Sequence, residues 1–208
     1  MEDITSLSGM QMDALREIGN IGAGNAATAL SQLLNKRIDM TVPRVSVLPL
    51  EQVPDVLGGP ENIVAGIFLR VLGNAPGSVM FMLPRNSALV LADMLIGKEI
   101  GATKILNDID QSALKEIGNI LAGSYLNALS MLTNLTLLPS VPALAFDMLG
   151  AILSVVLAEL GQVGDYALVI ETEFAETNKE VKGHFFLIPD PGSLNIILKA
   201  IGVNADGQ

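Results

Sequence analysis

"EIGNIGAGNAA", residues Glu17 to Ala27, holds the choice on which the fold turns: a phosphate-binding loop or the middle of a long helix. Gly22-Ala-Gly24-Asn-Ala-Ala27 has the G-x-G-x-x-A spacing of a dinucleotide turn. The chain carries its own control in "EIGNILAGSYL", Glu116 to Leu126. Between Ala14–Gly24 and Ala113–Gly123 nine of eleven positions are identical, yet Gly22 becomes Leu121 and the G-x-G spacing goes with it. A dinucleotide loop also needs a strand before it, and helix-compatible "MDALREI" stands there instead. Both segments therefore read as long helices. At 3.6 residues per turn, Leu15, Ile18, Gly22, Ala26, Ala29 and Leu33 share one face, as do Leu114, Ile117, Leu121, Tyr125 and Ala128.

The opposite face of each helix carries a narrow polar stripe, Asp13-Glu17-Asn20-Gly24 in one and Ser112-Glu116-Asn119-Gly123 in the other. A solvated helix face holds such residues routinely. Asn and Gly are poor helix formers, however, and recur here where Lys or Gln would serve a solvated face better. The glycine one turn beyond Asn removes bulk, so a partner can approach closely. The second stripe has no carboxylate besides Glu116. The chain has no cysteine, and its one histidine, His184, lies in a strand-like run and reads as structural. Metal binding and nucleophilic catalysis are poorly supported. A carboxamide can orient a water and a carboxylate can grip a partner's lysine. Such a pair completes an active site that another molecule supplies. Phosphoryl transfer suits it, being largely positioning and electrostatics.

Composition narrows the classes. Half of the 208 residues are hydrophobic, enough for one large domain or two small ones with a real core. The formal net charge of −10 and the lack of any Lys/Arg cluster argue against nucleic acid and against an anionic membrane surface. The start, "MEDITSLSGM", lacks the basic and apolar segments of a signal peptide. The longest apolar run, Met148 to Ala158, is too short to span a bilayer. We expect a soluble cytoplasmic protein.

The motif copies stand 99 positions apart, which suits a duplicated half-domain, with repeats of about 10–100 and 109–208 in a single domain over 1–208. Each motif helix is followed by a Pro-containing extended segment, "IDMTVPRVSVLPL" or "LTLLPSVPAL". Two strand-like runs come next: "IVAGIFLRVLG" with "GSVMFMLP", and "YALVIETEF" with "VKGHFFLIP". An apolar helix closes each half, Asn86–Ile96 and Ser193–Ile201, after Pro84 or Pro189 and before Gly97 or Gly202. The halves differ in the middle, where "FDMLGAILSVVLAELG" replaces a short "EQVPDVLGGPEN" and predicts an extra helix. The class is α+β, with both halves completing one sheet and one core.

At the two stripes the sequence resembles the CheC/CheX/FliY family of chemotaxis phosphatases, whose motif is Asp or Ser, three residues, Glu, two residues, Asn. Asp13-Glu17-Asn20 and Ser112-Glu116-Asn119 both match it. Two motifs in about 200 residues set the chain beside the two-motif members, not single-motif CheX or the longer FliY. The resemblance implies a pseudo-two-fold CheC-like fold, a central antiparallel sheet with both motif helices on one face. It implies hydrolysis of the aspartyl phosphate of the response regulator CheY. Asn20 and Asn119 would align the water, and Glu17 and Glu116 would pair with a regulator lysine. Asp13, Ser112, Gly24 and Gly123 would be motif-associated. No cofactor would be held by this chain, and Mg²⁺ would belong to CheY. A second implied partner is the receptor deamidase CheD, docking on the extra helix of the second half through Phe146, Asp147, Leu149, Ile152 and Leu153, with core packing as the alternative for that helix. The competing class is a non-enzymatic interaction module like the middle domain of the flagellar switch protein FliM.

Overall fold

The computed structural model describes residues 9–160, 166–176 and 179–201. The expectations about the first eight residues and about Gly202 as a helix stop lie outside them. Helix α1 runs unbroken over Gly9–Leu34, so no phosphate loop opens at Gly22. Strand β1 (Asp39–Pro49), the short α2 (Val53–Val56), β2 (Ile63–Gly73), β3 (Gly77–Pro84) and α3 (Arg85–Ile96) complete the first half. The second half holds α4 (Asp108–Thr133), β4 (Leu137–Pro139), β5 (Ala143–Met148), α5 (Leu149–Leu160), β6 (Tyr166–Glu176), β7 (Lys179–Pro189) and α6 (Ser193–Ala200). Gly97 ends α3 in the left-handed conformation, φ 72°, which a glycine adopts without a Cβ clash.

All the strands join one antiparallel sheet in the order β1-β6-β7-β3-β2, with β4 and β5 both on the far side of β2. The order reads alike from both edges, with the two hairpins meeting where β3 pairs with β7. The extended strand of each half lies on the hairpin of the other: β1 pairs with β6, while β4 and β5 pair with β2. Pro43 and Pro142 stand at matched positions 99 apart. A proline has no N–H for the ladder. At the first the register of β1 shifts between Thr41 and Arg44; at the second the strand divides into β4 and β5.

Both faces of the sheet are covered. Leu15, Ile18, Leu91, Leu114, Ile117 and Ile197 of α1, α3, α4 and α6 pack with Ile67, Phe81, Ile170 and Phe185 on one face. Val53 of α2 and Leu149, Ile152 and Leu153 of α5 pack with Val64, Met82, Val169 and Phe186 on the other. Strand β3 is buried from Gly77 to Leu83, which is why "GSVMFMLP" shows no alternation.

The two copies differ where their helices meet. Gly22 faces Tyr125, whose ring would collide with any Cβ there. Leu121 and Tyr125 fill the space that Gly22 and Ala26 leave at the matching positions. The Tyr125 ring packs on Phe185 with centroids 4.4 Å apart, and its hydroxyl lies 3.3 Å from Thr172 Oγ1. Burial pushes its phenol up to about 12, against the pull of that hydrogen bond, so this tyrosine is a packing group. One placement on α1 differs from the expected face. Leu30, not Leu33, is buried; Leu33 is 55% exposed, and Leu132 at the matching position of α4 is 45% exposed. The buried line of each helix ends on four-residue steps, Gly22, Ala26 and Leu30 in α1 and Leu121, Tyr125, Leu129 and Thr133 in α4, which leaves Leu33 and Leu132 to one side.

The extra helix also begins later than the sequence suggests. Phe146 and Asp147 belong to strand β5, paired with Ala65 and Val64. The ladder continues to Met148 opposite Ile63, and Leu149 N–H then donates to Asn62 O at 2.8 Å as the chain turns into α5.

Candidate functional site

Helices α1 and α4 bury one face against the sheet and turn the other outward. On that outward face Asp13, Glu17, Asn20 and Gly24 are all exposed. In α4 Ser112, Glu116 and Asn119 are exposed and Gly123 is half-buried. Among the described residues no hydrogen bond or ion pair engages the side chains of Asp13, Glu17, Asn20, Glu116 or Asn119. Ser112 Oγ donates back to Asp108 O at 2.7 Å within its own helix.

The glycines separate into two kinds. A Cβ at Gly118 would strike the Ile67 side chain, and one at Gly22 the Tyr125 ring. A Cβ at Gly24 or Gly123 would meet nothing within 4 Å. Packing within the chain explains the first pair. The second pair lies on the stripe in open space, where helix propensity alone favours Ala by about 1 kcal/mol. Their smallness is useful only toward something outside the chain.

The start of α4 is held firmly. Asn107 caps it, its side chain accepting from the N–H groups of Ile109 and Asp110 at 2.9 and 3.0 Å, while Asp110 Oδ2 accepts from Asn107 N–H at 3.0 Å. Asp110 is fully buried and pairs with Lys98 Nζ at 2.7 Å. Asp93, also fully buried, accepts from the backbone of Gly101 at 2.7 Å and Thr103 at 3.1 Å. Burial on its own raises such carboxyls. For Asp93 the hydrogen bonds from Thr103 and Gly101 outweigh it, and for Asp110 those from Lys98 and Asn107, so both titrate below the ordinary range. Sequence reasoning missed this cap, for which Asp110 three residues after Asn107 was the signal; nothing local in the sequence pointed to Lys98 as the partner of Asp110 or to the role of Asp93.

His184 sits half-buried on β7 with Nδ1 lacking a hydrogen-bond partner, and burial lowers its pKa. No group of three or more His, Cys, Asp or Glu among the described residues could hold a metal ion. No helix there is long and apolar enough to cross a membrane.

The five residues of the expected second docking surface do not share one face. Leu149, Ile152 and Leu153 point into the core. Phe146 lies opposite Ala65 on the α4 side of the sheet, whereas Asp147 turns to the other side, as successive strand residues must. Asp147 lines an apolar groove of about 250 Å³ with Gly66, Phe68, Met82, Ile152 and Val155, the last 58% exposed. This groove lies across the sheet from both stripes.

Comparison with known proteins agrees with the fold. The CheC-like family matches residues 10–47 and 109–145, which contain both motifs. The chain is 45% identical to the CheY-P phosphatase CheC of Bacillus subtilis, over 93% of this chain and 95% of that one. The FliY structure from Thermotoga maritima superposes with a TM-score of 0.76 at 23% identity, covering 94% of this chain and 98% of that one. The FliM middle domain from H. pylori superposes with a TM-score of 0.68 at 15% identity, covering 93% and 99%. These two likenesses bear on the fold alone. A switch-protein domain shares it, so the residues on the stripes must carry any argument about chemistry.

Proposed function

Because the chain belongs to the CheC-like family, we propose, from its 45% identity to a CheY-P phosphatase, that it is itself a phosphatase of phosphorylated CheY. The observation that carries the mechanism is the pair of outward stripes, each with an unpartnered Glu and Asn beside a glycine that faces open space. Each stripe docks on the regulator's phosphorylation site. Asn20 or Asn119 enters that site and orients a water in line with the aspartyl phosphate. The water oxygen bonds to phosphorus as the aspartyl oxygen leaves, releasing inorganic phosphate and restoring the carboxylate. The carboxamide moves no proton; it supplies alignment, which together with electrostatic stabilisation carries most of the catalysis in this chemistry. Glu17 or Glu116 pairs with a lysine of the regulator and sets the angle of entry. The Mg²⁺ of the reaction belongs to CheY. Timing phosphate release from phosphorylated CheY with and without the chain tests the reading. An unchanged lifetime at equimolar chain would end it.

CheD is the second proposed partner, received at the groove edge formed by Asp147 and Val155. Leu149 and Leu153 support that edge from within the core, and Ile152 lines the groove beside Asp147.

A further inference from the structure

Met10 and Ile109 occupy the same place in the two repeats, 99 positions apart and one turn before Asp13 and Ser112. Met10 is 71% exposed and Ile109 68% exposed, and neither joins a core cluster. A single exposed apolar residue needs no explanation. These two differ in chemistry but agree in exposure, helical angle and distance from the Glu/Asn pair. Ile109 stands between Asp108 and Asp110 in a first turn, where acidic residues suit the helix dipole and a β-branched side chain does not. Its backbone is also fixed by the Asn107 cap.

We infer that Met10 and Ile109 are the apolar anchors of docking, each packing on an apolar side chain at the rim of the regulator's phosphorylation cleft. The inference rests on the phosphatase reading. A charge pair such as Glu17 with a partner lysine fixes register, and its gain in affinity is offset by the desolvation of both charges. Affinity at interfaces comes from a few buried apolar or aromatic anchors. The rise from Met10 to Asn20 is about 15 Å along the helix. An ordinary interface of roughly 800 Å² per partner is wider than that, so a regulator that reaches Asn20 also covers Met10.

The test is steady-state dephosphorylation of phosphorylated CheY by the full chain and by Met10→Ser/Ile109→Ser, with Met10→Leu/Ile109→Leu as the conservative control. The inference predicts a roughly 10-fold higher KM for the serine variant, kcat within about twofold of wild type, and recovery of KM by the leucine variant. An unchanged thermal midpoint separates lost docking from lost folding. An active wild type with an unaltered KM in the serine variant overturns the inference and leaves the phosphatase reading standing. Sedimentation showing that the serine variant only splits a dimer, again with unaltered KM, assigns both residues to a contact between copies and also overturns it. A wild-type chain without activity removes the phosphatase reading, and this inference with it.

Discussion

Gly22 and Gly24 stand two residues apart on α1 and answer to different neighbours. Gly22→Ala puts a methyl into the Tyr125 ring. It should cost on the order of 1–3 kcal/mol, read as a lower denaturant midpoint. Gly24→Ala with Gly123→Ala meets nothing inside the chain. The double variant should be up to about 1 kcal/mol more stable per site, yet slower at dephosphorylating CheY because the methyls hold the partner off. Full activity in the stabilised variant would sink the close-approach argument. Glu17→Gln with Glu116→Gln should leave the thermal midpoint nearly unchanged, as exposed charges do, and raise KM; a collapsed midpoint would make these glutamates structural. The role of Gly22 was legible because the second copy places Leu121 there. The identity of its neighbour was not, since Tyr125 is remote in sequence. The exposure of Leu33 was equally hidden, because a fixed 3.6-residue period does not follow the four-residue steps, Gly22, Ala26 and Leu30, along which the buried line of α1 runs.

Helix α4 depends on Asp110 in its own first turn and on Asp93 of α3, which holds the connecting backbone at Gly101 and Thr103, and this makes the link between α3 and α4 sensitive to acid. The folded pKa values of Asp93 and Asp110 lie below the unfolded value of about 3.9. Their stabilisation is therefore complete above about pH 4 and is lost as pH falls through the lowered folded values. Asp110→Asn should remove the Lys98 pair and lower stability near neutral pH by on the order of 2 kcal/mol, while flattening the acid-induced loss. Circular dichroism melts between pH 3 and 7 read both effects, and a variant with the wild-type acid profile would count against this role. The hairpins were legible from their apolar runs and turn residues. The boundary between β5 and α5 was not: "FDMLGAILSVVLAELG" is almost unbroken apolar sequence from Met148 to Leu153, and only the pairing of β5 with β2 decides that the strand lasts to Met148.

At the scale of the molecule, the exchange of extended strands ties the halves together. Residues 10–100 alone would leave β1 without β6 and β2 without β4 and β5. Residues 109–208 alone would lack the complementary partners. Each half should show little cooperative melting on its own and regain it when the two are mixed; a cooperative transition in one isolated half would contradict that. The repeat was readable from the motif spacing, but the exchange was not, because local pattern carries no record of which distant strand completes a sheet. The opposite faces also separate the two proposed partners: Asp147→Lys should weaken CheD binding while phosphatase rate persists, since the groove and the stripes lie across the sheet from one another. The central claim is that two asparagines align the attacking water, and the decay of phosphorylated CheY tests it most directly. Asn20→Ala and Asn119→Ala should each slow their own site by about 10²-fold, by analogy with other lost positioning groups, and the folded double variant should leave CheY decaying at nearly its unaided rate. Decay as fast with the double variant as with the wild-type chain would contradict the account.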